Sequence, residues 1–179
     1  MELSGGIFGS YIAFFIAGAF TPTWSNRQVP GYLEKQDALK AAGIDEVMVY
    51  CVNDGGTSRG SHFRIGTLIF DLPQVIFHSP WTSAVMKAWA ADQQTTDSII
   101  KMYGDPSGEF TRAVDMELVH PGPISKGIIG RCKRFALYVV DGEVKFSAVA
   151  EDPEFDPAGD EFPEPTLVEA LLKAVTECS

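Results

Sequence analysis

Tyr11 to Ala17 is an unbroken apolar run, and together with the polar turn after it this run constrains the fold more than any other stretch of the chain. Gly18 to Ser25 carries turn-forming and polar residues, and beyond it apolar residues recur at helical spacing. An apolar run of this length bounded by turn chemistry reads as a buried strand. A strand that feeds a helix through a short turn leaves the turn at a helix N-terminus. Unpaired backbone N–H groups and the positive end of the helix dipole gather there, and both favour anions and thiolates.

The rest of the chain divides along the same lines. Ser25 is the expected N-cap, and Pro30-Gly31 is expected to kink or interrupt the helix because proline cannot donate a backbone hydrogen bond. Gly31 to Ala42 reads as helix, with Tyr32, Leu33, Ala38, Leu39 and Ala42 apolar, and Gly43 supplies the C-terminal stop. Glu46 to Val52 is continuously apolar after its first residue, as a parallel central strand is. A helix is predicted for Ala84 to Ala91 with Thr82 or Ser83 as cap, a strand for Ser98 to Tyr103, and a short helix for Glu109 to Asp115. His120-Pro121-Gly122-Pro123 opens a loop running to near Gly130. Lys133 to Val140 and Glu143 to Ala150, joined by Asp141-Gly142, predict a hairpin with a two-residue type I′ turn. Glu151 to Pro165 is an acidic, proline-containing loop, and Thr166 with Glu169 is a predicted capping box for a C-terminal helix.

Composition narrows the function classes. A formal net charge of −10 argues against nucleic acid, whose binding is driven by Lys and Arg. Much of the acidity lies between Glu151 and Glu164, so it describes a solvated loop more than a substrate. Cys51, Cys132 and Cys178 are few, odd in number and without CxxC or Cys/His metal spacing, which fits a reducing compartment and predicts no metal or cofactor. His62, His78 and His120 are scattered and read as surface residues. Gly5 to Phe20 is apolar enough to suggest a leader or a membrane span. It lacks a basic flank, is short for a span and runs directly into the polar turn, so a core strand is the expectation. The protein is expected to be cytoplasmic, or organellar if its true N-terminus is longer.

Gly18-Ala19-Phe20-Thr21-Pro22-Thr23-x-Ser25 followed by Val29-Pro30-Gly31-Tyr32-x-Glu34 resembles the active-site signature of type II (atypical two-cysteine) peroxiredoxins. The likeness continues at Val52-Asn53-Asp54, at Ala84 to Trp89, at Asp105 to Thr111 and at Lys133 to Leu137, in family order. It implies an α/β thioredoxin-like mixed sheet with helices on both faces, one redoxin domain over residues 1–179. It also implies thiol-dependent reduction of hydrogen peroxide and alkyl hydroperoxides in cell redox homeostasis. The implied partners are the peroxide, glutaredoxin with glutathione or thioredoxin, and a second copy in a homodimer using the face around Phe20 and Tyr32.

Three departures accompany the resemblance. The N-terminal edge hairpin and linker expected from relatives have no counterpart before the first strand, which reads as either a truncated domain or a misjudged start site. An insert occupies residues 56–83, with a β-like run Ile65 to Phe70; without it Gly55 would lead directly into Ala84. A loop of this length is uncommon in a compact domain. A translated intron or a tolerated surface excursion is the preferred reading over a new lid, and its apolar residues would promote aggregation if unpacked. Finally, the family's peroxidatic cysteine belongs at position 24, where this chain has Trp24.

A thiol peroxidase needs a thiolate of lowered pKa and groups that hold both peroxide oxygens as charge develops. The resemblance places the second task on Thr21 and Arg134 and makes Pro22 a shield of the thiolate. The structural alternatives are a turn-forming hydroxyl for Thr21 and an exposed strand-end cation for Arg134. Trp24 has one indole donor and no nucleophile, so it is expected to fill the peroxide pocket, and oxidation to sulfenic acid cannot begin there. Cys51, at a strand end, reads as a small hydrophobe; the resolving cysteine of plant-type relatives aligns instead with Val49. Cys132 precedes Lys133 and Arg134, whose charges would favour its thiolate, and Cys178 is expected to be exposed. The residues leave three readings: an inactive or impaired peroxiredoxin, a non-catalytic dimerising protein on that fold, and the mispredicted product of an active gene. A transcript lacking codons for residues 56–83 and carrying Cys at 24 would establish the last.

Overall fold

The computed structural model describes residues 9–16, 18–52, 62–64, 76–78, 84–105, 107–127, 129–152, 154–156, 159 and 161–178. The predicted first strand is β1, Ser10–Ile16, and it lies at the centre of a five-stranded sheet. Its neighbours are β2 (Glu46–Cys51), parallel to it, and β6 (Phe135–Val140), antiparallel. β5 (Ile100–Gly104) extends the sheet beside β2, and β7 (Glu143–Val149) closes the other edge beside β6. A separate antiparallel ribbon pairs β3 (His62–Arg64) with β4 (Ile76–His78). This ribbon is the described part of the predicted insert; the run Ile65 to Phe70 and the caps Thr82 and Ser83 lie outside the described residues.

The two faces of the sheet explain the unbroken apolar runs. Alternate side chains of a strand point to opposite faces, so a strand covered on both sides must be apolar throughout. Ile12, Phe14, Val47, Val49, Cys51, Ile100 and Met102 face one core, filled by Trp24, Tyr32, Met86, Trp89, Leu171 and Val175. Ala13, Met48, Tyr50, Val52, Tyr103, Leu137 and Val139 face the other, with Phe110 and Cys132. Helices α3 (Ala84–Asp92) and α6 (Val168–Cys178) serve the first face, and α4 (Glu109–Ala113) serves the second. Among the described residues no helix is long and apolar enough to cross a membrane.

The predicted hairpin turn is present: Asp141 and Gly142 both have positive φ, at 49° and 84°, as a type I′ turn requires. Gly43 ends its helix in a Schellman arrangement, with Ile44 N–H donating to Leu39 O and Gly43 N–H to Lys40 O.

Several local predictions are corrected. The helix predicted over Gly31 to Ala42 is two short ones, α1 (Val29–Glu34) and α2 (Gln36–Ala41), separated at Lys35. Ser25 is not an N-cap: helical turns begin at Pro22, and Ser25 lies inside a π-helical turn, Trp24–Gln28. Proline explains the register change, since Pro30 cannot bond back four residues, and just before it Val29 N–H reaches Trp24 O, five residues back. Thr166 forms no capping box. Its hydroxyl donates to Pro163 O within a 3-10 turn, Glu164–Thr166, and α6 begins at Val168. The predicted loop after His120 contains α5 (Pro121–Ser125), with proline at its first position and His120 Nδ1 accepting from Gly122 N–H at 3.0 Å.

Candidate functional site

The turn between β1 and α1 is built around a backbone reversal. Phe20 sits in the left-handed region at φ 59°, and its side chain is 52% exposed. Thr21 is next, its hydroxyl donating to Gly18 O at 3.0 Å and its carbonyl accepting from Ser25 N–H. Pro22 occupies the first helical position, where a missing N–H costs nothing, and is exposed. The π-turn then turns residues 24 and 28 inward together, and both are buried.

Trp24 is 2% exposed and Arg134 is 1% exposed, and the two are in direct contact. The guanidinium carbon of Arg134 lies 3.6 Å from the centroid of the Trp24 ring. A cation over an indole face out of contact with water is worth about 2 kcal/mol. Arg134 immediately precedes β6, and its carbonyl accepts from Ala150 N–H at 2.8 Å, so the hairpin anchors its backbone. Arg134 is therefore not the exposed strand-end cation of the simpler reading.

Behind the pair lies a polar support that sequence reasoning missed. Arg134 Nη1 donates to Gln28 Oε1 at 3.0 Å, and Gln28 Nε2 donates to Thr166 O at 3.1 Å. Tyr32 OH donates to that same carbonyl at 3.0 Å. The signal for Gln28 was present: a polar residue four positions after Trp24, in a segment whose inward positions are otherwise apolar. On the other flank, Trp89 Nε1 donates to Ser25 Oγ at 3.0 Å, and the Phe20 and Trp89 rings are tilted with centroids 6.4 Å apart.

The structure thus brings Trp24 and Arg134 together and places Thr21 and Pro22 in the turn leading to Trp24. Tyr32 does not belong to an exposed face around that turn. It is fully buried, stacked on Phe14 with centroids 4.5 Å apart, and burial, followed by the nearby Glu169 charge, raises its phenol pKa.

The three cysteines lie elsewhere. Cys51 and Cys132 are buried thiols and Cys178 is an exposed one. Cys51 belongs to the first core, as expected of a small hydrophobe. The expectation that neighbouring cations favour the Cys132 thiolate is overturned: burial, then the proximity of Cys51 and Asp105, pushes the Cys132 thiol up. Lys133 is drawn away into an ion pair with Glu151 at 2.9 Å.

A central mixed sheet with helices on both faces and a buried arginine set against the first strand-to-helix turn define a thioredoxin-like protein of the peroxiredoxin kind. No family model matches the chain. Peroxiredoxin-2B of Arabidopsis thaliana is 33% identical over 144 residues, spanning 80% of this chain and 69% of that protein. Peroxiredoxin-2C of Oryza sativa subsp. japonica is 31% identical over 164 residues, spanning 92% of this chain and 76% of that protein. Reduced Prx3 of Vibrio vulnificus in complex with hydrogen peroxide superposes with a TM-score of 0.64 at 28% identity, covering 98% of this chain and 81% of that one. The chain belongs to the peroxiredoxin family.

Proposed function

We propose that this chain is a type II peroxiredoxin by descent whose own peroxidase turnover is at background level. The lineage reaction is attack of a thiolate on the peroxide O–O bond, which yields a sulfenic acid and, after proton uptake, water or an alcohol. Glutaredoxin with glutathione, or thioredoxin, then reduces the sulfenic acid. A solved relative named as a hydrogen peroxide complex supports the substrate class. One observation carries the proposed loss: an indole ring, not a sulfur, lies beneath the Arg134 guanidinium. An indole offers a donor and no nucleophile.

The remaining groups suit the ancestral task. Arg134 would stabilise the leaving oxygen as negative charge develops. The Thr21 hydroxyl is already committed as a donor to Gly18 O, so what it offers a peroxide is an acceptor oxygen. Pro22 would cover the position from water. A peroxide-consumption assay with glutathione and glutaredoxin tests the reading: robust turnover by the unaltered chain would overturn it, and repeating the assay with all three cysteines replaced by serine would show whether a remaining thiol is responsible.

A second reading, a non-catalytic dimerising protein, is favoured by the exposed Phe20 ring at the same turn. Sedimentation of the purified chain tests this second reading, because a strict monomer counts against it. The proposal places the protein in the cytoplasm. Chloroplastic and mitochondrial relatives match over 80% and 84% of the chain, so cell fractionation is the check.

A further inference from the structure

We infer that Gln28 is the positioning residue of this site: it sets the direction of the Arg134 guanidinium and ties it to the turn that precedes α6. The inference rests on the proposed function in one respect, that Arg134 serves whatever group stands at position 24.

The geometry leaves Gln28 no freedom. Its side chain is 1% exposed. Thr166 O can only accept, so the amide nitrogen must point there, and the amide oxygen is then fixed toward Arg134 Nη1. The Thr166 carbonyl has two lone pairs, and Gln28 and Tyr32 occupy them together. Thr166 is itself held by its hydroxyl bond to Pro163 O. The path therefore runs from the 3-10 turn, through one rigid amide, to the guanidinium face that covers Trp24.

The residue type matters electrically. A glutamate of the same shape would reach the same atom of Arg134 and add a negative charge. It would also lose the donor to Thr166 O, a loss that Gln28→Leu shares without the charge. An opposite charge within hydrogen-bond distance offsets the field that Arg134 projects onto position 24. An amide supplies direction without that charge. Gln28 thus holds the cation in place and leaves its charge directed at position 24.

The test uses the full chain in two forms. With Trp24 intact, the indole ring current should displace the Arg134 side-chain proton resonances. Gln28→Leu should move them toward their ordinary positions, whereas unchanged resonances would overturn the inference. In a Trp24→Cys chain, the pH dependence of thiol alkylation gives the pKa at position 24. Isosteric Gln28→Glu should raise that pKa by about one unit, the size of effect expected of a nearby charge, and Gln28→Leu should raise it less. If Arg134→Met raises the pKa and neither Gln28 variant does, the positioning role of Gln28 is wrong while the reading of Arg134 stands. If Arg134→Met has no effect either, the site reading fails and the inference fails with it.

Discussion

Arg134 and Trp24 are 110 positions apart in the chain and lie in contact, the guanidinium carbon over the indole ring and 3.6 Å from its centroid. The contact gives a buried cation a partner at the position where the proposed function would have a thiolate. The ring's negative face offers Arg134 part of the stabilisation that an anion would.

That partnership has a measurable energy. Trp24→Leu should destabilise the chain by about 3 kcal/mol, mainly through lost burial and the cavity left behind. A double-mutant cycle pairing Trp24→Leu with Arg134→Met, read by urea unfolding, should show a coupling of about 1–2 kcal/mol. Strict additivity would mean that the contact contributes nothing.

Trp24→Cys should create a thiol that peroxide oxidises rapidly, measured as protection from alkylation after a short peroxide pulse. Adding Arg134→Met should slow that oxidation about tenfold or more, since removing one preorganised donor typically costs that much or more. Equal rates in the two variants would remove Arg134 from the proposed chemistry.

The native thiols should separate sharply in reactivity. Cys178 is exposed and should be alkylated within minutes near neutral pH, whereas Cys51 and Cys132 should react only on unfolding. Mass spectrometry of native and urea-treated protein distinguishes these cases, and fast native labelling of Cys132 would contradict its raised pKa.

Stability should fall in alkali. Cys132 has its pKa raised above an ordinary 9.0, and Tyr32 and Tyr50 have theirs raised above an ordinary 10.0, in each case chiefly by burial. Groups shifted upward contribute stability that is complete below the ordinary value and is lost as pH rises toward the folded-state value. The unfolding free energy should therefore decline from about pH 9, by about 1.4 kcal/mol per pH unit for each such group engaged. Cys132→Ala should delay the onset toward pH 10, the ordinary tyrosine value; an onset unmoved would assign the loss elsewhere.

Gly159 should tolerate no side chain. Its φ is +68°, and an added Cβ would collide with the Ala150 carbonyl and come within 3.2 Å of the Arg134 Cβ. Gly159→Ala should cost about 1–3 kcal/mol and disturb the Arg134 resonances as well as the stability. Thermal unfolding with the same spectra would show whether the two effects travel together.

Much of this molecule was legible in the sequence because the signals are local. Burial on both faces writes itself as unbroken apolar strands, positive φ at two successive residues favours Asp141-Gly142, and a Schellman stop favours Gly43. The family motif gave the neighbourhood of Thr21 to Ser25 for the same reason, since a strand, a turn and a helix start are adjacent in the chain. That position 24 holds no nucleophile was equally readable, because the residue type is the same in any fold.

Other properties depend on what distant segments bring. A cysteine beside two basic residues looked activated until tertiary structure buried its thiol in an apolar core. Thr166 read as a cap, but its hydroxyl turns back to Pro163 O, and its carbonyl receives Gln28 and Tyr32, 138 and 134 positions earlier. Arg134 had the sequence of a strand-end cation, and only closure of the sheet over the first helical turn drew it onto Trp24. Sequence alone determined which groups this protein owns. Tertiary structure decided which of them meet and in what dielectric, because burial and long-range contact set both the direction and the charge state of a side chain.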